Sequence, residues 1–296
     1  MKLNLILVAA LMVAVFNLNA QAPPYTFKVI VSKGKTEIKA ASAWQSIKVG
    51  ASLKASDEVK IAEGSYLGLI HANGKPLEIR ESGSFKVSEL VSRMGNGSSV
   101  LNKYTDFILS SDQEKRNKLS ATGAVHRGMK DVIIVYLSGA ERAELYGNKL
   151  GVQWASDEVK GPYEVVFTTL LEDELARYTV NENELLVDMN DAGLRDEYEI
   201  QVKVVAKGNP GKGSKEYIIK RLRPADRVKF TKIMDEIKAS VEQETALSKY
   251  YLAGIYEENL LLNDAITAYQ EAIKLASDVP LYKDAYDQFL TRLGLK

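Results

Sequence analysis

Between Leu252 and Ala272 the chain reads LAGIYEENLLLNDAITAYQEA, with apolar residues recurring at helical spacing on both sides of a short polar break. This spacing predicts two helices packed against each other. Small residues mark the crossing: Ala253 on the first helix and Ala265 and Ala272 on the second let the backbones approach, while Tyr256, Ile266 and Tyr269 fill the space beside them. Asn263 and Asp264 stand where side chains would cap the second helix. A lone helical hairpin cannot bury both of its faces, so the flanking sequence must supply neighbours. Upstream, residues 224–241 carry Val228, Phe230, Ile233, Met234 and Ile237 at helical spacing; downstream, residues 281–293 carry Tyr282, Tyr286, Phe289, Leu290 and Leu293. Four helices are expected at this end of the chain.

Leu252, Ala253, Tyr256, Ala265, Tyr269 and Ala272 occupy the positions at which a tetratricopeptide repeat of roughly 34 residues places Leu, small, Tyr, small, aromatic and small. The stretch 246–279 therefore resembles one such unit. It departs at Lys249, where the repeat often has Trp, and at Ser277, where it closes with Pro. The resemblance implies a protein-docking surface whose contacts come from the inward face of the first helix, here Leu247, Tyr250, Gly254, Glu257 and Glu258. The competing reading is that neighbouring helices cover this face.

The N-terminus, MKLNLILVAALMVAVFNLNAQAPP, has one Lys, a twelve-residue apolar run from Leu5 to Phe16 and small residues after it. That is the pattern of a secretory signal peptide over residues 1–20, cleaved after Ala20. The run falls well short of the ~20 residues needed to span a bilayer. No later segment is apolar enough, so the expectation is a mature chain without a membrane span, secreted or periplasmic. There is no cysteine, which excludes disulfides, thiolate chemistry and a lipid-bearing Cys. The 39 Lys plus Arg balance 39 Asp plus Glu, which leaves no footprint for nucleic acid.

From Phe27 to Leu90 the period is two: Val29 and Val31, Val59 and Ile61, Leu67 and Leu69, Leu77 and Ile79, Phe85 and Val87. Lys33-Gly34, Asn73-Gly74 and Ser82-Gly83 stand between them as hairpin turns. A small antiparallel β domain over residues 25–92 is expected. Its run WQSIKVGASLKASDEVKIAEGSYLGLIHANGKPLEIRESGSFKV resembles the periplasmic FecR-type β domain. In FecR signalling proteins a cytoplasmic segment and a membrane helix precede that domain, whereas here the signal peptide leads straight into it, so the regulatory role does not carry over. Residues 93–128 read as a linker holding one amphipathic helix, with Val100, Leu101, Tyr104, Phe107 and Ile108 on one face against the β domain.

Strong alternation returns over residues 129–222, in Val132, Ile134 and Tyr136, then Leu150, Val152 and Trp154, then Tyr163, Val165 and Phe167. Leu185 and Val187 follow, then Tyr198 to Val204, then Tyr217 and Ile219. Six or seven strands in this length predict a β-sandwich. Trp154, Tyr163 and the run LRDEYEIQVKVVA resemble a fibronectin type III or related immunoglobulin-like domain, which implies that Tyr198 takes the corner position and turns its hydroxyl back to the backbone.

Catalytic candidates are missing: His71 beside a turn and His126 in the linker are the only histidines, and neither has a recognisable partner. Asp188, Asn190, Gly193, Asp196 and Glu199 match a calcium loop in spacing. Ala192 fails its fifth position and strands flank it, so no metal is expected. Lys207, Lys212, Lys215, Lys220, Arg221 and Arg223 make a basic end to the sandwich, with NPGKGS as a turn; this reads as a solvated hairpin rather than an anionic glycan or lipid-headgroup patch, and Glu172, Asp173 and Glu174 read as a solvated loop.

The expectation is thus a multi-domain β plus α protein: a small antiparallel FecR-like β domain, a β-sandwich, and a C-terminal α-helical hairpin repeat within residues 223–296. It needs no cofactor and is not an enzyme. It would work as an adaptor whose helices dock another cell-envelope protein, with a glycan or cell-wall binder acting through its β domains as the alternative.

Overall fold

The computed structural model describes residues 25–40, 42–94, 99–109, 132–139, 143–241 and 244–296. The expected signal peptide, His126 and the polar part of the linker lie outside these residues. Within them the chain is β plus α: several mainly antiparallel sheets, then C-terminal helices.

Eight short strands build two sheets near the N-terminus. β1 (Phe27–Lys33), β4 (Ser52–Leu53), β6 (Tyr66–His71) and β7 (Pro76–Ile79) pair in the order β4-β1-β6-β7. β2 (Thr36–Ala40), β3 (Ala43–Ser46), β5 (Glu58–Ile61) and β8 (Gly83–Lys86) pair in the order β3-β2-β5-β8. Phe27, Val29, Leu53, Val59, Ile61, Leu67 and Leu69 fill the core these strands enclose. Only Asn73-Gly74 is the hairpin turn expected of it, joining β6 to β7 with Gly74 at φ 87°. Lys33-Gly34 and Ser82-Gly83 instead carry the chain from one sheet to the other. Gly34 is required there twice over, by φ 75° and because a Cβ would lie 2.6 Å from Ser65 Oγ. The strand expected to end at Val87 stops at Lys86. Val87 opens helix α1 (Val87–Ser92), which returns Val87 and Leu90 to the same core.

β6 has both faces covered. Leu67 and Leu69 point into this core, whereas Tyr66 and Ile70 belong to the helical core on the other side. In β1 a register shift between Val29 and Val31 does the same, sending Val29 to one core and Val31 to the other.

The second β unit has nine strands: β9 (Ile134–Val135), β10 (Glu144–Leu145), β11 (Lys149–Ala155), β12 (Tyr163–Thr168), β13 (Glu174–Val180), β14 (Glu184–Asp188), β15 (Glu199–Ala206), β16 (Asn209–Gly213) and β17 (Tyr217–Arg221). One sheet runs β10-β17-β15-β12-β13 with β16 added on β15, and the other runs β14-β11-β9. A single core drawn from both sheets holds Trp154 edge-on to Tyr163, ring centroids 5.3 Å apart.

Three expectations change here. Glu174, expected in a solvated loop with Glu172 and Asp173, opens β13, whose ELARYTV has only half-buried apolar residues, so its pairing with β12, more than its pattern, makes it a strand. NPGKG is a strand and not a turn, because Gly208, at φ 79°, already reverses the chain. Tyr198 is 44% exposed and does not form the expected buried corner; the buried tyrosine returning its hydroxyl to nearby backbone is Tyr163, which donates to Val159 O at 2.8 Å.

The helices are α2 (Ser99–Leu109), α3 (Pro224–Ser240), α4 (Ala246–Glu258), α5 (Leu262–Leu275) and α6 (Pro280–Arg292). Ala253, Ala265 and Ala272 are fully buried at the α4–α5 crossing, as their size requires. Val228 is 61% exposed, so α3 packs through Phe230, Met234 and Ile237, with Ile233 at the edge. The linker helix α2 joins the helical core through Leu101, Tyr104 and Ile108. It also lies on the Asn73-Gly74 hairpin, where a Cβ on Gly74 would sit 2.5 Å from Thr105 Oγ1.

Candidate functional site at the helical seam

The α4–α5 hairpin is held by a β unit on each side. On the N-terminal side, Glu78 of β7 is the hub. Its Oε2 accepts from the Tyr66 hydroxyl at 2.8 Å and from the Leu247 N–H at 3.2 Å, and Arg80 Nε donates to Oε1 at 2.6 Å. The Tyr66 and Tyr282 hydroxyls meet at 2.5 Å, and the Arg80 guanidinium lies over the Tyr66 ring. Burial first, then the Tyr282 and Glu78 oxygens, push the Tyr66 hydroxyl far above the usual tyrosine range, so it stays a proton donor. Lys33 and Asp278 close the rim as an ion pair, which holds the Asp278 carboxyl below its ordinary range.

On the other side, the start of α5 is plugged into the second β unit. Asn263 Oδ1 accepts from Ser138 N–H at 2.9 Å; Asp264 accepts from Tyr146 N–H at 2.8 Å and Gly147 N–H at 2.6 Å; Thr267 Oγ1 accepts from Gly151 N–H at 2.9 Å. The Ser138, Tyr146 and Gly151 donors are buried, and each left without an acceptor would cost about 1–3 kcal/mol. Asn263 and Asp264 therefore do not cap their own helix; its N-cap residue is Leu261, which makes no side-chain cap bond. Their acceptors are turned outward to the neighbouring backbone. Burial raises the Asp264 carboxyl to about 7 against the opposing pull of those two N–H groups and of Arg227, whose Nη1 donates to Tyr146 O at 2.7 Å.

Two mid-strand glycines mark the closest approaches. A Cβ on Gly68 would be 3.5 Å from Leu247 Cδ2 and 3.1 Å from Val31 Cγ2. A Cβ on Gly151 would be 1.9 Å from Gln270 Oε1 and 3.3 Å from Thr267 Oγ1. These glycines, and the uninterrupted apolar run YLGLI of β6, are the signals in the sequence that reveal strands covered on both faces.

The residues expected to contact a partner fall into this frame. Leu247, Tyr250, Gly254 and Glu257 are buried within the chain; Glu258 is exposed. The inward face of α4 is filled by a ring cluster in which Tyr250 meets Tyr269 and Tyr282 with centroids 6.0 and 5.7 Å away. Glu257 is 0% exposed and accepts from the Tyr269 hydroxyl at 2.5 Å and Arg292 Nη2 at 2.8 Å. This is a buried ion pair tying α4 to α6. The groove is thus occupied by α6 and by the N-terminal sheet, neither of which the repeat pattern itself encodes.

His71 accepts from the Asn73 N–H at its Nδ1 and stacks edge-on against Phe27, a turn-bracing arrangement. In the loop after β14, Asp188 accepts from Asn190 N–H and Asp191 from the Tyr178 hydroxyl. Among the described residues no group of three or more His, Cys, Asp or Glu side chains is placed to hold a metal ion, and no helix is long and apolar enough to cross a membrane. Neither a family model nor a curated protein matches this sequence.

Proposed function

We propose that this chain is a non-enzymatic adaptor of the cell envelope, secreted or periplasmic, in which a tetratricopeptide-like hairpin is the keystone between a FecR-like and a fibronectin-like β unit. The observation that carries this reading is the double engagement of one helical hairpin, by Glu78 and Tyr66 on one side and by Ser138, Tyr146, Gly147 and Gly151 on the other. Side chains that a free repeat would offer to a ligand are used to fix three modules relative to one another. Docking is then the task of the outward surfaces of the β units, and the order of the modules, behind the expected signal peptide, supports a role in the envelope.

Crosslinked capture from intact envelopes tests the reading. One stoichiometric envelope protein should be recovered with the wild type and equally with Glu258→Ala, which alters the one exposed groove residue. Retention of polysaccharide alone would replace the adaptor by a glycan binder, and loss of capture in Glu258→Ala would return the binding surface to the groove. Sequencing of the mature N-terminus should start at Gln21, and an intact Met1 would remove the envelope assignment.

A further inference from the structure

The tip of the β12–β13 hairpin presents Leu170 and Leu171, 46% and 85% exposed, on a turn that is held in place. Thr169 organises it. Its N–H donates to Asp173 O at 2.9 Å, its carbonyl accepts from Glu172 N–H at 3.1 Å, and its hydroxyl oxygen accepts from the N–H groups of Leu171 and Asp173 at 3.2 Å each. Glu172 is in the left-handed region at φ 70°, a conformation that glycine adopts without strain and other residues seldom take. The two leucines are thus presented on an ordered knob, followed at once by the exposed carboxylates of Glu172 and Asp173.

The same chain contains a socket of matching character. At the junction of α3, α4 and α5 with the turn before β11, a cavity of about 270 Å³ has a floor of Met234, Leu252, Tyr256 and Ala268. Its volume is under the ~300–1,000 Å³ of pockets that enclose drug-sized ligands, and suits one or two side chains. Lys149, Lys238 and Lys249 stand around it against two carboxyl groups, Asp264 and Glu271. Glu271 engages Lys149 at 3.4 Å and Lys249 at 3.0 Å, while Lys238 has no carboxylate partner among the described residues. A second groove, of about 360 Å³ beside β14, shares Glu271 with the socket and sets Glu184 beside it against a single lysine, Lys274, a charge balance less favourable to an acidic tip.

We propose that the chain self-associates, the Leu170-Leu171 tip of one copy entering the Lys149/Lys238/Lys249 socket of a second copy, with Glu172 and Asp173 facing Lys238. The contact joins two different patches, so it either closes reciprocally in a dimer or repeats along an open chain. Its small area makes it weak, with a dissociation constant on the order of 100 µM. The proposal does not depend on the adaptor reading.

Sedimentation velocity on the full mature chain tests it. The weight-average sedimentation coefficient should rise between about 5 and about 500 µM protein, and the rise should shrink when salt goes from about 0.05 to about 0.5 M. Leu171→Asp should abolish the rise. Glu172→Lys and Lys238→Glu should each weaken self-association about tenfold, and the double variant Glu172→Lys/Lys238→Glu should recover most of it. All three positions are exposed, so circular dichroism should be unchanged. A concentration-independent coefficient, an undiminished rise in Leu171→Asp, or a double variant no better than either single one would overturn the proposal.

Discussion

Replacing Asp264 by asparagine is expected to remove a pH dependence that this one carboxyl imposes on stability. Burial raises its pKa from the ordinary 3.8 to about 7. An acid with a higher pKa in the folded than in the unfolded chain binds more protons when folded. Its contribution is therefore greatest in acid and declines as pH rises from about 4 through about 7. At about 1.4 kcal/mol per unit, the decline between about pH 5 and about pH 8 comes to about 2.5 kcal/mol. The replacing amide cannot ionise, and it keeps the size of the carboxyl and one acceptor for the Tyr146 and Gly147 N–H groups. The measurement is urea unfolding across that pH range at constant ionic strength, wild type against Asp264→Asn. The stability difference should move by about 2–3 kcal/mol in favour of the variant as pH rises. Parallel profiles would refute the reasoning, since they would mean that the carboxylate is not desolvated in the seam.

Leu260, at φ 60° after α4, sits where a helix usually ends on glycine; Leu261 N–H bonds Tyr256 O and Leu260 N–H bonds Glu257 O around it. Leu260→Gly should raise stability by about 0.5–1 kcal/mol, read as a higher melting temperature; a drop would show that the half-exposed leucine contributes more by contact than its backbone strain costs. Glu257→Ala should destabilise by about 3–5 kcal/mol because it strands Arg292, whose side chain is 12% exposed, without its counter-charge. Calorimetry on Glu257→Ala beside Arg292→Leu/Glu257→Leu checks this, the double variant being expected to regain most of the loss.

The α4–α5 hairpin was legible because its determinants are local. Ala253, Ala265 and Ala272 recur at helical spacing, and small size at a crossing needs no knowledge of the neighbours. Most strand positions were legible for the same reason, alternation being a property of one strand on one core. What failed was whatever depends on a second surface. Asn263 and Asp264 have cap chemistry in any local reading, yet their acceptors serve backbone of the second β unit, more than a hundred residues earlier in the chain. β13 has almost no pattern of its own and is ordered by β12. Lys33-Gly34 and Asn73-Gly74 look alike as dipeptides, and only the pairing of the flanking strands makes one a sheet crossing and the other a hairpin.

Sequence alone determined the periodicities, and with them the β plus α class, the two β stretches and the helical end. Tertiary structure decided that the inward face of α4 is not a free groove. Periodicity records how many faces of an element are apolar, but not which element covers each. The face carrying Leu247, Tyr250 and Glu257 is as apolar and small-polar as an open groove would be. Only the arrival of Tyr66 and Glu78 from the first β unit, and of Tyr282 and Arg292 from α6, turns it into core.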